Sequence, residues 1–289
     1  METLTRDHVC YVLSRENRPA LTVQAGESFC LETEDAYGGA IAASGDKFPA
    51  AKRPNPCCGP VFVAGAAPKT VLRVDIEKIV LKGAAAMSSP DSRVLPIRAG
   101  RLFVCKGLSV PVSTMVGVIG TTPRLEPAPT TQPGEHGGNM DCPDVREGTA
   151  VFLPVQVEGG LLAAGDVHAL MGDGEVCGCG AEVAADVIMR ATVVEDRIPT
   201  PCIETPDALV FPGSAATLDE CEYVAVDRAH RFLTDWLNVS EKEALRLMGL
   251  MGDLKVCQVV NEKKTMSFSL PKTLLNPLGL QGLSPFGLG

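Results

Sequence analysis

GEHGGNMDCPDVREGTAVFLPVQVEGGLLAAGDVHALMGDGEVCGCGAE, residues 134–182, is the stretch on which the reading of the whole chain turns. Its middle, residues 149–157, is rich in β-branched and apolar side chains that suit a pleated strand. On either side stand two of the four histidines, with Asn139, Asp141, Asp166, Asp173 and Glu175, all set among glycines. Glycine adopts backbone angles that other residues avoid and lets chain and ligand approach closely. Singly, such Gly, Asn and Asp residues build tight turns. Together, acids and imidazoles flanking one strand are the groups that a buried metal or acid/base centre requires.

Working outward, most of the chain reads as strands. Residues 20–33 alternate around Ala25-Gly26, predicting a hairpin or the edge of a sandwich. In residues 70–81, Leu72, Val74 and Ile76 face one way and Arg73, Asp75 and Glu77 the other, which predicts a strand with one wet side. Residues 48–59 read as an irregular loop. The Pro- and Thr-rich passage 123–133 has no period, and a long connection just before a glycine-rich motif reads as a functional loop. A long strand is expected over 181–194. Beyond residue 216 the character changes. Thr217-Leu-Asp-Glu220 and Ser240-Glu-Lys-Glu243 both fit the capping box, and each precedes an apolar stripe at helical spacing. Two further strands, 254–260 and 266–270, follow around Asn261-Glu-Lys-Lys. The organisation expected is therefore a β core carrying the site over 1–215, a helical α+β subdomain over 216–275, and a Gly/Leu/Pro-rich tail over 276–289.

Composition narrows the partners. A chain of 289 residues with 45% hydrophobic content can bury a substantial core. A net charge of -9 without a basic run argues against nucleic acid and anionic membranes, which need clustered Lys or Arg. Eleven cysteines are too sparse in a chain of this length for a disulfide scaffold. With no signal-like N-terminus and no apolar run long enough to span a bilayer, a reducing cytoplasm with free thiols is expected.

The residues also carry a resemblance. His136-Gly-Gly-Asn-Met-Asp141, Leu153-Pro154, Gly165-Asp-Val-His168 and Met171-Gly-Asp-Gly-Glu-Val-Cys-Gly178 resemble the signature of the acetamidase/formamidase family. Gly59-Pro-Val-Phe-Val-Ala-Gly-Ala, Gly117-Val-Ile-Gly, Arg228-Ala-His230 and Gly252-Asp-Leu-Lys-Val-Cys-Gln-Val-Val260 follow the family's order, so the resemblance covers nearly the whole chain. It implies a mainly β fold, a jelly-roll-like β-sandwich with added helices. It also implies hydrolysis of short linear amides to a carboxylic acid and ammonia, a homo-oligomer of two or more copies, and a divalent metal, zinc first, with a second structural ion such as calcium as an extension.

The chemistry of the residues agrees. Amide hydrolysis needs a nucleophilic water, a stabilised oxyanion and a proton for the leaving amine, and a metal supplies the first two. A catalytic zinc takes three protein ligands from His, Asp and Glu. If Asp166-Val-His168 is extended, both side chains share a face, so Asp166, His168 and Asp141 are the candidate ligands. Glu175 is the candidate general base, with Asp173 and His136 as further catalytic candidates. Asn139, Gly138 and Glu32 are candidates for holding the substrate. Two rival readings remain open: a thiol amidase with Cys177 or Cys142 activated by His168 or His136, and a non-catalytic small-molecule-binding sandwich.

Overall fold

The computed structural model describes residues 1–44, 53–194 and 198–278. The expected loop 48–59 lies partly, and the tail beyond residue 278 wholly, outside the described residues. The fold is mainly β and largely antiparallel. Its spine is a pair of long strands, Val71–Met87 and Glu182–Val194, paired antiparallel along most of their length. Ser28–Thr33 lies along the other edge of Glu182–Val194. Ala150–Pro154, the β-like centre of the opening stretch, pairs with the start of Val71–Met87, from Ala150 opposite Asp75 to Pro154 opposite Val71.

The strand that carries Asp166 and His168, Leu162–His168, is buried throughout. It runs antiparallel to Met115–Gly120 and to Cys57–Ala64. At its end His168 stands opposite Glu182, joining it to the spine. The central core gathers Leu31, Leu72, Val74, Ile76, Val116, Leu153, Val167 and Val187 between these strands. Leu72, Val74 and Ile76 thus bury together, as their alternation predicts.

Three local expectations are corrected. Residues 20–33 do not close a hairpin. Leu21–Gln24 runs parallel to Cys57–Ala64, while Ser28–Thr33 joins Glu182–Val194. The Gly26 N–H between them donates to Ala191 O at 2.8 Å, so the turn carries the chain from one partner to another. The wet side of the 70–81 strand is partly covered as well. Arg73 is only 9% exposed, held 2.8 Å from both Asp75 and Glu204 with its guanidinium over the Phe152 ring. A guanidinium tolerates that burial because two carboxylates meet its fork of donors. Finally, the two capping boxes differ. Thr217 makes the full reciprocal box with Glu220 ahead of the helix Leu218–Arg231. Ser240, ahead of Glu241–Met251, makes no bond to a helix amide, and its hydroxyl donates to Glu243 Oε2 instead.

Beyond residue 215 the sheet continues. Ala208–Ala215 pairs in unbroken register with Lys264–Pro271, which in turn pairs with Asp253–Gln258. Leu218–Arg231, extended by the π turn Phe232–Trp236, closes a second core with Phe211, Ala225, Ala229, Leu233, Phe268 and Leu270. The turn after Asp253–Gln258 brings Asn261 back to the carboxylates of the opening stretch.

Candidate active site

Asp141, Asp166, His168, Glu175 and Glu182 come together in the interior, each at most 7% exposed. One ligand atom each from Asp141, Asp166 and His168 lie within 4.8 Å of one another, and so do atoms from His168, Glu175 and Glu182. The two groups share His168, and among the described residues no such group stands apart from them. A cleft of about 220 Å³ opens onto this cluster, lined also by Tyr37, Asn55, Asn139 and Asn261.

Local structure makes the convergence possible. Gly117 stands across from Asp166 on the neighbouring strand. A Cβ there would lie 2.5 Å from Asp141 Oδ1 and 2.8 Å from Asp166 Oδ2, so only glycine leaves room for both carboxylates. Gly180 serves His168 likewise, since a Cβ there would lie 2.7 Å from the imidazole ring. Asp166 is not extended as its spacing suggests, but has φ +57, and its carboxylate still lies 3.7 Å from His168 Nε2. Asp141 at φ +44 and Glu175 at φ +48 share this left-handed backbone. L-residues with branched or long side chains enter it only at a cost, and such residues concentrate at functional sites.

The electrostatics are those of crowded acids. Burial pushes the Asp141 carboxyl up to about 7, with Asp166 adding to it and His168 opposing. Glu175 rises to about 10, through burial first and Asp141 second. Burial lifts Glu182 to about 8 against the pull of His168. Burial opposes charge on His168 as well, but Glu182 and Asp166 outweigh it and hold its pKa well above the ordinary value.

Neutral amides surround the carboxylate pair. Asn55 Nδ2 donates to Asp166 Oδ2 at 3.0 Å, and Asn261 Nδ2 to Asp141 Oδ2 at 3.2 Å. With its nitrogen turned toward the acids, Asn139 reaches Asp141 Oδ2 and Asp166 Oδ2 at 3.1 Å each. Glu182 is aimed by the Gly180 N–H, 2.9 Å from its Oε1.

The residues fit a divalent cation. Four carboxylates face one imidazole, an excess of negative charge that is costly to bury uncompensated. Both ring nitrogens of His168, with Glu175 Oε2 and Glu182 Oε2, are buried without a hydrogen-bond partner, although His168 Nε2 sits 3.0 Å from Glu182 Oε2. Imidazole and carboxylate are the donor set zinc takes in hydrolytic sites.

Not every candidate lies in the cluster. Asp173 is solvent-exposed, on the outward side of the turn that buries Glu175. Glu32 is half-buried opposite Asp186 on Glu182–Val194, away from the cleft. His136 and Gly138 do not line the cleft; they pack on each other, with a Cβ at Gly138 falling 2.6 Å from His136 Nε2. Burial, helped by Lys263, lowers the His136 pKa to about 4. Conversely, Glu182, Asn55 and Asn261 belong to the site and carry no local signal. Glu182 could be reached only through its register with His168, and the two asparagines only through contacts 111 and 120 residues apart.

Fold and cluster together define a class: a β-rich protein with a buried carboxylate–histidine centre fitted to a divalent cation. Comparison with known proteins narrows it. A sequence profile described as the Acetamidase/Formamidase family matches residues 122–240. A solved acetamidase from Bacillus halodurans superposes with a TM-score of 0.90 at 34% identity, covering 96% of this chain and 99% of that one. A solved predicted acetamidase/formamidase from Thermoanaerobacter tengcongensis gives a TM-score of 0.92 at 35% identity, covering 96% and 98%. The chain belongs to the acetamidase/formamidase family. A formamidase from Methylophilus methylotrophus is 36% identical over 110 residues, a match that spans 36% of this chain and only 26% of that protein.

Proposed function

We propose that the protein hydrolyses short linear amides of the formamide and acetamide type to the carboxylic acid and ammonia, with a divalent metal, zinc in the first instance, held by Asp141, Asp166 and His168. The observation that carries this reading is the convergence of those three side chains within 4.8 Å beside Glu175, in a chain of this family. The cleft, about 220 Å³ and lined by Asn, Asp, Glu and Tyr side chains, suits a small polar substrate. A bound divalent ion would supply an activated water and a polarised carbonyl. The chain's own groups do the rest. Asn139 presents an amide beside the acids, suited to orient the substrate. Glu175, as general base, takes a proton from the attacking water and delivers it to the leaving nitrogen. Burial first and Asp141 second push the Glu175 carboxyl up, and the charge of a bound divalent ion would bring it back into the range in which it can accept a proton and release it to the leaving nitrogen. Asp173, Glu32 and His136 receive no role in this scheme.

The thiol reading has less support. Cys142 is fully buried, and its contact with Cys257 and burial push its thiol well up. The Cys177 thiol is also raised, by burial first, and donates to the Cys179 carbonyl. Neither environment favours a thiolate.

All eleven cysteines are free, in keeping with a reducing cytoplasm. Among the described residues no helix is long and apolar enough to cross a membrane. Exposed Tyr223, Leu245, Leu250 and Leu254 offer apolar surface for a second copy. The curled antiparallel core is taken as a jelly-roll-like sandwich.

The test is ammonia release from a panel of short amides, before and after chelation and on restoring zinc. The expected result is activity that chelator removes and zinc returns; silence of the zinc-loaded protein on every amide would refute the proposal. Glu175→Gln is expected to retain metal while kcat falls by roughly 10²-fold or more, the scale of general-base catalysis. Normal turnover in that variant would refute the role of Glu175.

A further inference from the structure

Asn261 reaches the cleft from the far end of the chain. It sits in the turn between Asp253–Gln258 and Lys264–Pro271, and its Nδ2 donates to Asp141 Oδ2 at 3.2 Å. The turn that presents it is built around Gln258, which is 0% exposed. Gln258 Oε1 accepts from the N–H of Val260 at 3.0 Å and of Asn261 at 3.1 Å. Its Nε2 donates to Lys263 O at 2.7 Å and to Thr265 Oγ1 at 3.3 Å. Lys264 Nζ closes the turn from outside, donating to Asn261 O at 2.8 Å. A buried amide whose donor and acceptor both serve one turn fixes that turn, because leaving either end unmet costs free energy.

The same hairpin grips the other side of the site. Gly174 N–H donates to Cys257 O at 3.0 Å, and Val259 N–H donates to Gly174 O at 3.1 Å. The residue before Glu175 is thus tied, through backbone, to the residues before Asn261.

Charge explains why the contact is made by an amide. A lysine or arginine beside Asp141 would neutralise the carboxylate and compete with a cation for it. An amide N–H occupies one oxygen and adds no charge, leaving the anion available. Among the described residues, the side chains that hydrogen-bond this carboxylate pair, Asn55, Asn139 and Asn261, are all amides. We infer that Asn261 is a positioning residue for Asp141, and that Gln258, by fixing the turn, makes the C-terminal hairpin a structural part of the cation-binding centre. This rests on the metal-centre reading proposed above. Asn261 acts by holding Asp141 in one orientation before the ion arrives, so its loss weakens capture of the ion.

The experiment uses the full chain, stripped with chelator and titrated with Zn²⁺ by calorimetry, with thermal unfolding of the stripped protein as the control for folding. Asn261→Ala and the near-isosteric Asn261→Leu are expected to lose about 10- to 100-fold in Zn²⁺ affinity, the range for partners that orient metal ligands. Their unfolding midpoints should stay near that of the parent. Gln258→Met, which removes the four bonds of the turn without touching the cleft, should lower Zn²⁺ affinity in the same direction. Unchanged affinity in both Asn261 variants overturns the inference, and a raised KM in its place would mean that Asn261 holds substrate. Unchanged affinity in Gln258→Met overturns the part assigned to the turn. If the parent protein itself takes up no Zn²⁺, the metal-centre reading has failed and this inference with it, an outcome distinct from a parent that binds and variants that bind equally well.

Discussion

At the scale of single residues, the site is built by pressing acids into space and backbone that ordinary packing would refuse them. Gly117 shows the constraint most directly, because the position of its missing Cβ lies 2.5 Å from Asp141 Oδ1 and 2.8 Å from Asp166 Oδ2. A methyl group cannot be absorbed by backbone on one side and two fixed carboxylates on the other, so the acids must separate. Gly117→Ala is therefore expected to fold with near-parental circular dichroism but to purify with little bound metal and little activity, as elemental analysis and an ammonia assay would report. Parental metal content would show that the carboxylates can part without cost. The acids are legible from sequence, whereas the part played by Gly117 is not, because its nearness to two carboxylates is set by the pairing of two strands. Asp166-Val-His168 gives itself away through spacing, although the positive φ of Asp166 means that the extended strand assumed for it is not the conformation it adopts. Glu182 and Asn261 do not give themselves away, since a contact set by strand register or by a distant turn leaves no period in the local sequence. Asp173 misleads for the complementary reason. It shares the Asp-Gly-Glu run with Glu175, but the turn at Gly174, φ +91, leaves Asp173 exposed while Glu175 is buried.

At the scale of elements, pattern predicts what an element is more reliably than what it joins. The strands expected over 70–81 and 181–194 are found as Val71–Met87, six residues longer than the alternation reaches, and Glu182–Val194, and the two C-terminal helices follow from their apolar stripes. The failed hairpin at residues 20–33 shows the limit, for a turn signal fixes where the chain bends and leaves the partners to the core. The two caps permit a quantitative comparison. Thr217 bonds the Glu220 amide while Glu220 reaches back to the Thr217 amide, whereas the Ser240 hydroxyl is spent on the Glu243 carboxylate. Thr217→Ala should cost about 1 kcal/mol in chemical denaturation, as loss of a working N-cap does. Ser240→Ala should cost less than half of that. Equal losses would mean that the hydroxyl of Ser240 caps its helix in solution.

At the scale of the whole molecule, the same burial that assembles the site makes stability depend on pH, and His136 isolates one part of that dependence. Its imidazole is 7% exposed, and burial, with Lys263 adding to it, lowers its pKa from 6.5 to about 4. Between those values the unfolded chain binds a proton at His136 that the folded chain does not. The neutral imidazole therefore contributes stability fully present above pH 6.5, and that contribution declines as pH falls toward 4. A shift of that size corresponds to about 3 kcal/mol across the window. Other groups also titrate as the solution is acidified, so the informative quantity is the difference between parent and His136→Gln. Urea midpoints measured from pH 7.5 to pH 4.5 should fall more steeply for the parent, and the two curves should converge on acidification. Parallel curves would mean that His136 takes up its proton at the same pH in the folded and unfolded chain, and the loop that packs Gly138 against its ring would then have to accommodate a charge on acidification.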